Sequence, residues 1–187
     1  LFNALKSDGL SKRKISKNNA LVFMGVFVFT LGMEYISVGM YLIPTILKPI
    51  LQNNILINSI LKKGDHVITS SIEHNSVIRP LWNLKESNII NLDITEANSL
   101  GIINVESIKA LIKPNTKLII LTHASNVLGT IQPIKEIGKL CKENNIFFIL
   151  DSAQSAGVLS VDFSELNLSA LTFTGHKSLL GPQGIGG

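Results

Sequence analysis

The chain has 187 residues, 45% of them apolar and 16% charged, enough for one domain with a hydrophobic core and short for two. Its net charge of +4 is uneven: residues 1–63 hold eight Lys/Arg against Asp8 and Glu34, whereas residues 64–187 hold nine against eleven acidic residues. The basic character belongs to the N-terminal third, so nucleic acid is not an expected partner; the single cysteine, Cys141, excludes an intrachain disulfide and a cysteine-built zinc site and points to a reducing compartment, the cytoplasm by default.

In chain order, KRKISK (12–17) precedes the apolar run ALVFMGVFVFTLGM (20–33), which continues past Glu34 as YISVGMYLIPTIL. A basic flank before an apolar run is the pattern of a membrane segment or a signal anchor. The uninterrupted run is fourteen residues long. Crossing a bilayer takes about 20, and Glu34 within a span costs on the order of 3 kcal/mol. The stretch is therefore open to three readings: a membrane segment, an amphipathic or buried helix, or sequence foreign to the fold behind it. Near residue 58 the texture changes, dividing a basic, apolar and helical segment (1–57) from a domain (58–187).

Within that domain HVITSSI (66–72) is β-rich, and SVIRPLWNLKES (76–87) sets Val77, Leu81 and Leu84 at helical spacing. NIINLDI (88–94) is a strand, and VESIKALI (105–112) a short helix with Val105, Ile108 and Ile112 on one side. TKLIILTHA (116–124) is a continuous apolar run, the pattern of a strand covered on both faces. PIKEIGKLCKENN (133–145) opens with proline, a favoured first helical residue, and ends in polar Asn144 and Asn145. IFFILDSA (146–153) and SALTFTG (169–175) are further strands. Strands alternating with helices of this length predict an α/β domain with a largely parallel sheet.

In such sheets ligands bind beyond the carboxyl ends of the strands. Those ends read Glu73-His74-Asn75, His123-Ala124-Ser125-Asn126, Asp151-Ser152-Ala153-Gln154 and Thr174-Gly175-His176-Lys177, so polar groups gather along one edge. Asp151 ends a strand, where its buried carboxylate needs a hydrogen-bonding or cationic partner; it either caps the next turn or faces a ligand. Lys177 is either a surface lysine or, among Thr174, His176 and Ser178, a nucleophile that forms a Schiff base with a carbonyl. An Asp and a Lys so placed suggest pyridoxal 5'-phosphate (PLP), the carboxylate for the pyridine nitrogen, the amine for the aldehyde, and hydroxyl or imidazole donors for the phosphate. His74 is either a ring that stacks on a cofactor or a hydrogen-bonded loop histidine; the histidine spacings match no recognised zinc pattern.

Together EHNSVIRP, HASNVLGTIQPIKEIGKL, ILDSAQSAG and TFTGHKSLLGPQGIGG resemble the class V aminotransferase family of fold-type I PLP enzymes, and within it the cysteine desulfurases. The resemblance implies the large domain of a PLP-dependent transferase, incomplete here, and runs from about Ile60 to Gly187. By this likeness Lys177 forms the Schiff base, Asp151 pairs with the pyridinium nitrogen, Gln154 bonds the ring's 3-oxygen and Asn126 lies near the same face. His74 stacks on the ring and exchanges protons with substrate, and Thr174 with His176 holds the phosphate. The implied reaction converts L-cysteine to L-alanine and an enzyme persulfide, with a homodimer, a sulfur acceptor protein and iron-sulfur cluster assembly as the implied context. Three features depart from the family: its phosphate-binding Thr-Glu turn, where residues 45–55 read TILKPILQNNI; its substrate-gripping N-terminal stretch; and its nucleophilic cysteine. Cys141 shares a helical face with Ile134 and Ile137, the placement of an unreactive structural cysteine. The alternatives to an enzyme are a non-catalytic remnant of one and a membrane-associated binding module using residues 20–47.

Overall fold

In the computed structural model, residues 52–187 are described, and residues 1–51, with the apolar run of residues 20–47, lie outside them. The elements are α1 (residues 52–60), β1 (His66–Ser70), α2 (Asn75–Glu86), β2 (Asn91–Thr95), α3 (Val105–Leu111), β3 (Thr116–Thr122), α4 (Ile134–Glu143), β4 (Phe147–Asp151) and β5 (Ala170–Thr172). Each strand and helix expected between residues 66 and 175 is present. The difference at α4 is small and physical: Pro133, with ψ 60, stands just outside the helix, and Ile134 is its first residue.

The five strands form one sheet in the order β2-β1-β3-β4-β5, and every neighbouring pair is parallel. Parallel strands need helical crossovers, which cover both faces and bury the strands. β3 shows the result in its alternation. Leu118 and Ile120 pack with Ile57, Val77 and Leu81 of α1 and α2. Ile119 and Leu121 pack with Ile108, Ile137 and Cys141 of α3 and α4. Residues 52–57, which the change of texture near residue 58 groups with the N-terminal segment, thus enter the core, where Ile57 is fully buried.

The chain proceeds from β1 to β2 on one side and returns across β1 to β3 on the other, so the order reverses between β1 and β3. At such a reversal the loops leaving neighbouring strands part in opposite directions and open a crevice at their carboxyl ends. After β5 the chain folds back, with Thr174 bridged to Gly186 and Phe173 exchanging backbone hydrogen bonds with Gly187. Gly157, at φ +86, lets the turn after β4 lie against this returning segment, since a Cβ there would stand 3.1 Å from the Ser178 backbone. No helix among the described residues is long and apolar enough to cross a membrane.

Helix α4 packs closely on Leu166 at Gly138, where an added Cβ would lie 2.0 Å from the Leu166 carbonyl oxygen. Backbone cannot yield as a side-chain tip can. Gly138→Ala is expected to destabilise the domain by about 1–3 kcal/mol, despite alanine's better helix propensity; urea unfolding of the two proteins measures it, and equal midpoints would contradict the close packing.

Candidate functional site

At the carboxyl ends of the strands lies a cavity of about 380 Å³. Of the residues expected to act, His74, Asn126, Asp151, Gln154 and Lys177 line it. They arrive from the exits of four strands and are held by separate local structures.

Asp151 ends β4, where its register partners are Thr122 of β3 and Thr172 of β5, and it is 5% exposed. Oδ1 accepts from the backbone N–H of Ala153 at 3.0 Å, an Asx-type turn that makes the residue its own cap. Oδ2 accepts from Asn53 Nδ2 at 3.1 Å. The carboxylate thus caps its own turn and also forms part of the cavity wall.

His74 is the N-cap of α2, and its Nδ1 accepts from the Ser76 backbone N–H at 3.1 Å and lies 2.9 Å from Ser76 Oγ. A backbone N–H only donates, so Nδ1 is the acceptor and the neutral ring carries its proton on Nε2. An imidazole doing the work of a capping Asp or Asn is held at a fixed angle by the helix it starts.

Lys177 is half-buried, and its Nζ has no hydrogen-bond or ion-pair partner among the described residues. Its neighbours divide. Thr174 is buried with its hydroxyl donating to the Ala153 carbonyl at 3.3 Å, and it does not line the cavity. His176 stands off the cavity wall as well, and its Nδ1 is enclosed without a partner among the described residues.

Beneath the site is a group that sequence reasoning passed over. Glu73 Oε1 accepts from the Ser70 hydroxyl and from the Thr122 backbone N–H at 3.0 Å, while Oε2 is enclosed without a partner among the described residues. Burial, with Asp151 nearby, pushes its carboxyl up to about 8. The signal was its place in the turn three residues beyond β1, at a strand exit. His123, 4% exposed, is held neutral by burial. Asn53, Ser76 and Arg79 also line the cavity; Arg79 follows Asn75 by one helical turn on α2, a spacing that could have found it. Cys141 is fully buried, and burial pushes its thiol up to about 12, as expected of an inert core cysteine.

Comparison with known proteins agrees with this geometry. Residues 51–187 match the profile of the family described as Aminotransferase class-V. The cysteine desulfurase IscS of Clostridium botulinum (strain Hall) is 38% identical over 125 residues, which make up 67% of this chain and 31% of that protein. The apo structure of the cysteine desulfurase of Thermococcus onnurineus NA1 superposes with a TM-score of 0.69 at 33% identity, over 74% of this chain and 35% of that one. A structure of SspA in complex with cysteine superposes with a TM-score of 0.65 at 35% identity, over 76% of this chain and 40% of that one. The chain spans about a third of the length of the curated relatives it matches.

The buried acid sets a pH dependence. From the ordinary carboxyl value of 4.5 upward the unfolded chain gives up the Glu73 proton, while the folded protein keeps it to about 8, so stability falls as pH rises through that window. Glu73→Gln, neutral throughout, is expected to flatten the fall and to stabilise the domain at pH 7.5 by about 1–3 kcal/mol. Urea unfolding at a series of pH values checks this; an unchanged slope would refute it.

Proposed function

This chain belongs to the class V aminotransferase family, and on that premise we propose that residues 52–187 are the cofactor-holding part of a PLP-dependent cysteine desulfurase-like protein. The observation that carries the proposal is the convergence of His74, Asn126, Asp151, Gln154 and Lys177 from four strand exits on one cavity. The donor set fits the ring end of PLP: a carboxylate already tied on both oxygens, an amide, and an amine with no partner among the described residues. At the phosphate end His176, whose enclosed Nδ1 has no partner among the described residues, contributes only if its ring turns to the cavity, and Thr174 only if its hydroxyl leaves the Ala153 carbonyl. When bound, PLP supplies an aldehyde for an amine and a ring that draws electrons from the attached amino acid.

The chain's own residues then have distinct tasks. Lys177 would offer its amine to the aldehyde and serve as a base for a substrate proton. Asp151 would accept a hydrogen bond from the ring nitrogen and favour its protonated form, and Gln154 would donate to the ring's 3-oxygen. His74 would stack on the ring and exchange protons through Nε2, since Nδ1 is committed to Ser76. Asn126 would serve the substrate's carboxylate. The substrate class is an α-amino acid, and the likeness to cysteine desulfurases and to SspA in complex with cysteine favours L-cysteine, with alanine and a persulfide as products.

The thiol that takes the sulfur is not Cys141, which is enclosed and holds its proton to about 12. Sulfur transfer therefore draws on a thiol outside this sequence, such as one on an acceptor protein serving iron-sulfur cluster assembly. An enclosed single cysteine is in keeping with a reducing compartment such as the cytoplasm.

Mixing the purified chain with PLP is expected to produce a new visible absorption band that Lys177→Ala abolishes. With L-cysteine and an added small thiol, the mixture is expected to release alanine, and His74→Ala to slow that release about 100-fold or more. A band without alanine would identify a cofactor-binding remnant that does not turn over. The absence of any band dependent on Lys177 would remove the cofactor proposal itself.

A further inference from the structure

Asn53 is 1% exposed and belongs to α1, outside the segment from which the family likeness is legible in the sequence. Its Nδ2 donates to Asp151 Oδ2 at 3.1 Å and to Ser76 Oγ at 3.1 Å, and its Oδ1 accepts from the Thr172 hydroxyl at 3.0 Å. One amide thus ties α1 to α2, β4 and β5. Its orientation is fixed by chemistry: a carboxylate oxygen only accepts, so the NH₂ end must face Asp151 and the carbonyl end must take the Thr172 proton. Both amide protons are used.

The consequences run to both sides of the cavity. Because Ser76 Oγ accepts from Asn53, its own proton is left for His74 Nδ1, 2.9 Å away. Because the Ala153 N–H holds only Oδ1 within the local turn, Asn53 is the one donor among the described residues that fixes Oδ2 from outside it. A carboxylate with one tethered oxygen still swings about its χ2 bond; one tethered at both oxygens from two directions does not. Few side chains could replace the amide. Aspartate lacks the donors and would set like charges together, serine is too short to span two acceptors, and glutamine's extra methylene would carry its amide out of register with both.

We propose that Asn53 is a positioning residue: it locks Asp151 toward the ring nitrogen of the cofactor and, through Ser76, sets the ring of His74 on the other side of the same cavity. The role rests on the cofactor reading above, and it deepens it by placing the brace on an element with no recognisable motif.

The test compares two ligands and three proteins. PLP and its analogue with carbon in place of the ring nitrogen are titrated into wild type, Asn53→Ala and Asp151→Ala, with binding followed by absorbance. Wild type is expected to prefer PLP. Asn53→Ala is expected to lose that preference, its PLP affinity falling about tenfold while its affinity for the analogue changes less than about twofold. Equal losses for both ligands, or a preserved preference, would overturn the proposal. Asn53→Ser, which stays polar but cannot span both acceptors, carries the same comparison if Asn53→Ala does not fold. Without cofactor, a double-mutant cycle of Asn53→Ala and Asp151→Ala on urea stability is expected to be non-additive, and additivity would overturn the brace. Failure of wild type to bind either ligand would instead remove the cofactor reading, with the cycle still deciding whether Asn53 holds Asp151.

Discussion

A carboxylate at the end of a strand covered on both faces must be given donors, and Asp151, 5% exposed, depends on two. One comes from its own turn, through the Ala153 N–H, and the other from Asn53, 98 residues earlier in the chain on the helix that precedes the sheet. Leaving either oxygen bare would cost about 1–3 kcal/mol or more for a charged group. The polar layer at the top of the sheet is built around that requirement. Thr172, beside Asp151 in the register, anchors the far end of the Asn53 amide, and Ser76 Oγ accepts the amide's second hydrogen bond and donates its own to His74. The stability of this edge and the aim of its side chains are therefore one problem, solved by the same hydrogen bonds.

Beneath this layer the sheet behaves as a rigid mount. β3 and β4 are buried from end to end on both faces, except at Lys117 and Phe147, and each strand delivers one polar residue to the crevice where its apolar run stops. The reversal of strand order between β1 and β3 opens the space; the crossovers cover the faces and leave only the carboxyl edge free for chemistry. Glu73 shows the cost of this arrangement. Set under the crevice with one oxygen unpartnered among the described residues, it holds a proton that exposed glutamates lose. A neutral acid there avoids a second negative charge next to Asp151.

Much of the fold was legible because its signals are local. Continuous apolar runs of strand length, helices with apolar residues at 3.6 spacing, and polar residues where the runs end locate the strands, the helices and the edge that carries His74, Asn126, Asp151, Gln154 and Lys177. What was not legible is what depends on folding back. Asn53 sits in an apolar stretch beside a change of texture, and only the packing of Ile57 and the bond to Asp151 reveal its place. Glu73 reads as one more polar residue after a strand until the Thr122 N–H closes over it. Thr174 was expected to face the cavity with His176, and its hydroxyl instead meets the Ala153 carbonyl, because the turn after β4 packs against the segment that returns from β5. The sequence shows which residues leave the strands but not which of their atoms are already engaged.

Family membership accounts for why these residue types recur together, whereas their hydrogen bonds account for how this chain would hold a cofactor. On the proposed reading Lys177 is the amine at the end of that arrangement, on the cavity wall and unpartnered among the described residues. The most direct measurement mixes the chain with PLP, reduces the adduct with borohydride, and maps the modified peptide by mass spectrometry. The account predicts the pyridoxyl group on Lys177. A label spread over the exposed lysines, or placed on one of them in preference to Lys177, would contradict it.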